Sequence, residues 1–226
     1  MSPRIVNSAG QVMTLIQQRL ALTRRMRPML NDAALIDSLS RSGTITADVP
    51  ELFEQSATGF RPAAVMILLV RRGDQDHILL TKRRAHMRTH AGQIAFPGGS
   101  LDPEDASPVH AALRETHEEV GITPHDISIL GTLAPHYTIT NFHVTPVVGR
   151  LTGAFAPVQQ EEEVDVVFTA PISHLLDLDR FIEHRRFFKN KERSYLSVPY
   201  GPFYIWGATA RILHSFAQLI TEASHA

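Results

Sequence analysis

The run from Pro62 to Val70 is the most apolar of the chain, and Ala63 to Val70 is unbroken by any polar residue. Several of its residues are branched. After the turn-like Gly73-Asp74-Gln75-Asp76 comes a second apolar stretch, Ile78-Leu79-Leu80. This pattern predicts two strands joined as a hairpin. The run is far too short to span a bilayer. It therefore calls for a sheet inside a folded domain, and 43% hydrophobic with 20% charged residues supplies a core without disulfides or structural metal.

The elements that follow fill out such a sheet. Arg84 to Ala95 is too polar and irregular for a core element and reads as a long loop, and Phe96-Pro97-Gly98-Gly99 as a strand end running into a turn. Ser107-Pro108 marks a helix start, with Ser107 as N-cap and Pro108 in the first turn, and Gly121 stops that helix. Strands are predicted at 127–133, 144–151, 164–168, 181–188 and 195–200, with a short helix at 171–176. A final helix over 207–223 carries Ala210, Leu213, Phe216, Ala217 and Ile220 as its apolar positions. Strands interleaved with few helices predict a mixed sheet flanked by helices, not a regular alternation of the two.

Upstream of Arg61 the texture differs. Leu15, Leu20, Leu22, Met26 and Leu30 recur at helix-like spacing, Pro28 ends or kinks that helix, and Ala33 to Leu39 resumes the habit. Gly43 to Gln55 reads as a linker. The expected division is an N-terminal helical extension and linker over 1–55 and a main domain over 56–226. Arg19, Arg24, Arg25 and Arg27 make the extension locally basic, as a solvated helix face or as a patch facing phosphate.

A formal net charge of -1 argues against a protein that coats nucleic acid. The absence of cysteine excludes disulfides, thiolate zinc sites and a cysteine nucleophile. Met1 to Gln11 has no continuous apolar stretch of signal-peptide length, and Ala223-Ser224-His225-Ala226 is no peroxisomal address. The expectation is a soluble, cytoplasmic protein without membrane or nucleic-acid partners. Its oligomeric state stays open, a homodimer included.

The helix from Ser107 to Gly121 carries the chemistry. Residues three and four apart share a helix face, so Glu115, Glu118 and Glu119 converge on one stripe, with Val109, Leu113, Thr116 and Val120 roughly opposite. Three close carboxylates repel one another. Two of them stand in the last turn, where the helix dipole disfavours negative charge by roughly 0.3–1 kcal/mol each. A divalent cation would supply the missing charge, and hard oxygen ligands suit Mg²⁺ or Mn²⁺. Alone, Glu-x-x-Glu-Glu fits a solvated helix end as well. Upstream context favours the cation: Gly98-Gly99 permits a tight turn and close approach, and Asp102, Glu104 and Asp105 add oxygen donors on the loop.

These residues together resemble the Nudix box, a glycine and a loop acid followed by Arg-Glu-x-x-Glu-Glu-x-Gly and an aliphatic residue. Here it closes as Arg114-Glu115-Thr116-His117-Glu118-Glu119-Val120-Gly121-Ile122. The loop acid is Asp105 where the usual box has Glu, and the spacing from Gly99 to Arg114 is one residue longer than standard. The resemblance implies a Nudix-type α/β/α sandwich with a mixed sheet as the main domain. It implies a pyrophosphohydrolase with Glu115, Glu118 and Glu119 as metal-binding and catalytic residues, supported by Arg114 and Asp105.

A second resemblance concerns the substrate. Leu79-Leu80-Thr81-Lys82-Arg83, Arg88, Gly92 and Phe96-Pro97-Gly98-Gly99 look like the signature ahead of the box in coenzyme A pyrophosphatases, with Arg84 standing where that signature has Ser or Ala. A coenzyme A-like nucleotide offers a diphosphate plus a 3′-phosphate, and Lys82, Arg83 and Arg88 provide cations for them, arginine being suited to bidentate phosphate contact. Gly98 and Gly99 join them as expected substrate-binding positions. His86 and His90, four apart, have no third ligand to make a zinc site. Of the acidic run Glu161-Glu162-Glu163, Glu163 is the expected general base, although surface charge explains the run as well. The products implied are 3′,5′-ADP and 4′-phosphopantetheine or its acyl form. Two alternatives stay open: another nucleoside diphosphate derivative, such as ADP-ribose or a dinucleoside polyphosphate, and a non-catalytic nucleotide-sensing module. The aromatics of Phe203-Tyr204-Ile205-Trp206-Gly207 are expected in the core.

Overall fold

The computed structural model describes residues 59–85, 91–188 and 191–223. The predicted helices over 11–42 and the linker lie outside these residues, as do His86, Arg88 and His90.

β1 (Arg61–Arg72) and β2 (Gln75–Arg83) form the predicted antiparallel hairpin, closed at Gly73-Asp74. The side chains of β1 alternate between two apolar clusters. Ala64, Met66, Leu68 and Val70 pack in one with Ala111, Ala112 and Val120 of helix α1 (Pro108–Val120). Ala63, Ile67 and Leu69 pack in the other with Ala210, Leu213 and Phe216 of helix α3 (Gly207–Ala223). Both faces of the sheet are thus covered by helices, which is why the strand reads as a continuous apolar run.

The sheet runs β3 (Ile94–Ala95), β2, β1, β7 (Phe142–Leu151), β5 (Ile127–Thr132). β4 (Gly98–Ser100) also pairs with β1, β6 (His136–Tyr137) with β7, and β8 (Val164–Pro171) with β2. β1 and β7 are parallel and the other pairs antiparallel, so the sheet is mixed and the architecture is an α/β/α sandwich. The short helix α2 is Ile172–Leu175. β9 (Ile182–Phe188) and β10 (Lys191–Ser197) form a separate two-stranded ribbon.

Three expectations need correction. The segment 84–95 is not loop throughout, because Ile94-Ala95 pairs with Thr81-Lys82 and Ile94 is buried. Gly98 to Ser100 is a strand in register with Ala63 to Val65, not a turn. Of the C-terminal aromatics, Phe203 stacks on Phe168, but Tyr204 and Trp206 are 45% and 37% exposed. The extended segment alternates, and Ile205 takes the inward place between them. Among the described residues, no helix is long and apolar enough to cross a membrane.

Candidate active site

Helix α1 begins where Ser107 accepts the His110 N–H at 3.1 Å and Pro108 occupies the first turn. It ends at Gly121, in the left-handed region at φ 68°, whose N–H donates to the His117 carbonyl. Between these caps, Ala111 and Ala112 face the sheet with small side chains, so the helix lies close to β1 and β4. The three glutamates consequently have different surroundings. Glu119 is wedged inside, its side chain 5% exposed, Glu115 is mostly covered, and Glu118 is 55% exposed. Val109 and Leu113, expected on the buried stripe, are only partly buried, while Glu119 is fully so.

β4 supplies the floor against which these carboxylates rest. A side chain on Gly99 would fall on the Glu115 carboxylate, and one on Gly98 on the Ala64 carbonyl and the Val65 backbone. Gly98 also adopts φ 153°, which disfavours any residue with a Cβ. The Gly98 N–H donates to Glu119.

Two arginines neutralise the group. Arg114 donates from Nε to Asp105 Oδ1 at 3.2 Å and from Nη2 to Oδ2 at 2.9 Å. Its Nη1 reaches Glu115 Oε1 at 3.0 Å and Glu118 Oε2 at 2.9 Å, and Nη2 also donates to the Ser100 carbonyl. Arg114 holds the Asp105 carboxyl below its usual range. Arg83, at the end of β2, places Nη1 3.5 Å from Glu119 Oε1 and Nη2 3.8 Å from Glu163 Oε2.

Glu163 arrives from the loop before β8. The loop's Val158 and Gln160 donate their N–H groups to the Val120 and Glu119 carbonyls at 2.9 and 3.0 Å, satisfying the end of α1. Gln160 Oε1 then accepts the N–H groups of Glu162 and Glu163, at 2.6 and 2.9 Å. Glu163 is half exposed with its carboxylate facing Arg83, and Glu161 and Glu162 are exposed. The structure thus brings Arg83, Glu115, Glu119 and Glu163 together. Lys82 is engaged elsewhere, with its Nζ on Asp165 Oδ2 at 2.6 Å.

Among the described residues, no three carboxylate or imidazole side chains are gathered as a ready metal-holding group, because Arg114 draws Glu115 and Glu118 to itself and Arg83 faces Glu119. The donor set nevertheless fits a divalent cation. Glu119 Oε2 is buried without a hydrogen-bond partner. Burial, resisted by Arg83 and reinforced by the charges of Glu115 and Glu163, pushes the Glu119 carboxyl up to about 8, and burial also raises Glu115. Buried carboxylates with a spare oxygen are costly unless a cation shares them. Sequence spacing did not reveal the Gln160 link or the contact of Arg83 with Glu119, since both depend on packing between distant segments.

The acids of α1 beneath a glycine strand, with Arg83 and Glu163 beside them, form a carboxylate-lined centre. A family model described as the NUDIX domain matches residues 60–191. A relative from Enterobacter sp. (strain 638), named "Uncharacterized Nudix hydrolase NudL", is 44% identical over 194 residues, spanning 84% of this chain and 96% of its own length. A relative of the same name from Salmonella paratyphi B (strain ATCC BAA-1250 / SPB7) is 45% identical over 163 residues, 71% of this chain and 83% of its own. The solved NUDIX domain of Shewanella oneidensis NrtR complexed with ADP ribose is 23% identical, with a TM-score of 0.42 over 57% of this chain and 82% of that one. The chain belongs to the Nudix family. It is a Nudix hydrolase, an enzyme class that acts on nucleoside diphosphate derivatives and generally uses divalent metal ions.

Proposed function

We propose that this enzyme hydrolyses the diphosphate bond of coenzyme A or one of its derivatives, releasing 3′,5′-ADP and 4′-phosphopantetheine or its acyl form. The observation that carries the reading is the position of Arg83. It belongs to the basic signature ahead of the box, and its guanidinium lies between Glu119 of the helix and Glu163 of the loop. This position supports a reading in which one side chain serves both diphosphate recognition and the acidic centre.

Glu115, Glu118 and Glu119 would hold Mg²⁺ or Mn²⁺. Such an ion, when bound, neutralises charge developing on the diphosphate and lowers the pKa of the attacking water. The protein's own part is positional. Asp105 and Arg114 orient Glu115 and Glu118, and Gly99 leaves room for the Glu115 carboxylate against β4. Glu163, half exposed and tethered by Gln160, accepts the proton of the attacking water at its carboxylate. Arg83 binds phosphate oxygens, joined by Arg88, which lies outside the described residues. Lys82 contributes positive charge from a surface pair with Asp165. The choice of coenzyme A rests on the signature from Leu79 to Gly99, since the carboxylates would serve any diphosphate.

The test is product chromatography after incubation with Mg²⁺ or Mn²⁺ and coenzyme A, acetyl-coenzyme A, ADP-ribose or diadenosine tetraphosphate. Equal release of 3′,5′-ADP and phosphopantetheine species is expected from the first two. Cleavage confined to ADP-ribose or the dinucleotide would reassign the substrate, and no cleavage of any would favour a sensing role.

A further inference from the structure

We infer that Arg83 is an exchangeable counter-ion of the acidic centre. It sits with Glu119 and Glu163, and passes to the substrate's phosphate oxygens when a cation takes its place on Glu119. This rests on the metal site proposed above.

The contrast between the two arginines carries the inference. Arg114 is locked by short hydrogen bonds to Asp105, Glu115, Glu118 and the Ser100 carbonyl, at 2.9 to 3.2 Å. Arg83 is held only by charge. Its distances of 3.5 and 3.8 Å to Glu119 and Glu163 exceed those of good hydrogen bonds. Its Nε is buried with no partner. A guanidinium has five N–H donors in a fixed fork, so this one keeps donors in reserve.

The root of Arg83, by contrast, is fixed. Its N–H donates to the Gln93 carbonyl at 3.0 Å, and its carbonyl accepts the Gly92 N–H at 3.1 Å. The neighbouring Arg84 N–H donates to the Glu163 carbonyl at 2.9 Å. A register shift between Lys82 and Arg83 in the β2–β8 pairing re-aims the side chain. An anchored backbone with a loosely held head lets the guanidinium swing over a short arc without disturbing the sheet. A cation on Glu119 repels that head, and a diphosphate beside the cation offers the paired oxygens a guanidinium binds best.

Two effects of opposite sign follow from removing the guanidinium. A merely structural arginine would, on removal, weaken metal and substrate binding together. A competing counter-ion would, on removal, strengthen the first and weaken the second. The experiment is Mn²⁺ binding to the substrate-free protein, followed by electron paramagnetic resonance, for wild type, Arg83→Gln, Arg83→Lys and Glu119→Gln. The Michaelis constant for the cleaved substrate is measured in parallel.

In Arg83→Gln, Mn²⁺ binding should tighten by roughly threefold or more, since a like charge at screened range is gone. KM should rise by about tenfold, the loss of charged hydrogen bonds to phosphate. Arg83→Lys, which keeps the charge without the fork, should bind Mn²⁺ within about twofold of wild type and still show a raised KM. Unchanged or weaker Mn²⁺ binding in a folded Arg83→Gln protein overturns the inference. So does a wild-type KM in Arg83→Lys, which serves if the glutamine variant does not fold. If Glu119→Gln binds Mn²⁺ as tightly as wild type, the metal-site reading itself fails, a result distinct from failure of the exchange.

Discussion

Arg114 and Asp105 meet side-on through two parallel hydrogen bonds, Nε to Oδ1 at 3.2 Å and Nη2 to Oδ2 at 2.9 Å. Asp105 also accepts the Asp102 N–H at 2.9 Å, and its side chain is almost wholly buried. A carboxylate one methylene shorter than the usual Glu, on a loop one residue longer, thereby still meets the arginine at two points. The pair ties the loop to the middle of α1, and Arg114's remaining nitrogen orients Glu115 and Glu118.

Asp105→Asn should destabilise the protein by about 1–3 kcal/mol at neutral pH, the cost of leaving a buried charged partner unsatisfied. Arg114 holds the folded-state Asp105 pKa below the unfolded value. Its stabilisation is therefore complete above the unfolded pKa, near 3.9, and is lost as pH falls through the lowered folded value. Chemical denaturation of both proteins should show a gap that is constant from pH 7 to about 5 and narrows below about 4. A gap independent of pH would contradict this role.

The two glycines of β4 should separate in their effects. Gly98→Ala drives a methyl into the Ala64 carbonyl and forces φ 153° on an alanine, so stability should fall by about 2 kcal/mol or more. Gly99→Ala meets the Glu115 carboxylate first, the far end of a side chain that can shift. It should lower turnover with a smaller change in melting temperature. Equal melting losses with normal turnover in Gly99→Ala would remove Glu115 from the working site.

Gln160→Ala deletes the acceptor shared by the Glu162 and Glu163 N–H groups, which are exposed enough for water to replace it. Stability should change by no more than about 1 kcal/mol, while kcat falls and KM stays near wild type. A kcat equal to wild type would show that the placement of Glu163 does not matter to the chemistry.

Local signals made much of this molecule legible. Ser107-Pro108 and Gly121 bracket α1 because caps are chemically specific, and the apolar run of β1 announced a buried strand. β4 escaped because Gly98-Gly99-Ser100 has almost no side-chain pattern, and its strand state comes from pairing with Ala63 to Val65. The helical stripe placed Glu115, Glu118 and Glu119 together, yet packing separates them. Ala111 and Ala112 let α1 settle close to the sheet, which buries Glu119 and leaves Glu118 in solvent. Periodicity resolves faces, not depth. Arg83 was legible as a cation of the basic loop, but its proximity to Glu119 is a product of the sandwich.

The most direct measurement of the central claim, metal-dependent diphosphate hydrolysis at the buried carboxylate of α1, is the turnover of Glu119→Gln in saturating Mg²⁺ or Mn²⁺. The substitution keeps the shape and removes a carboxyl whose burial raises its pKa to about 8, so the variant should melt no earlier than wild type. Turnover should fall by at least about a hundredfold, the scale on which single electrostatic groups at reacting centres act. Near-normal turnover in a folded Glu119→Gln protein would contradict the account.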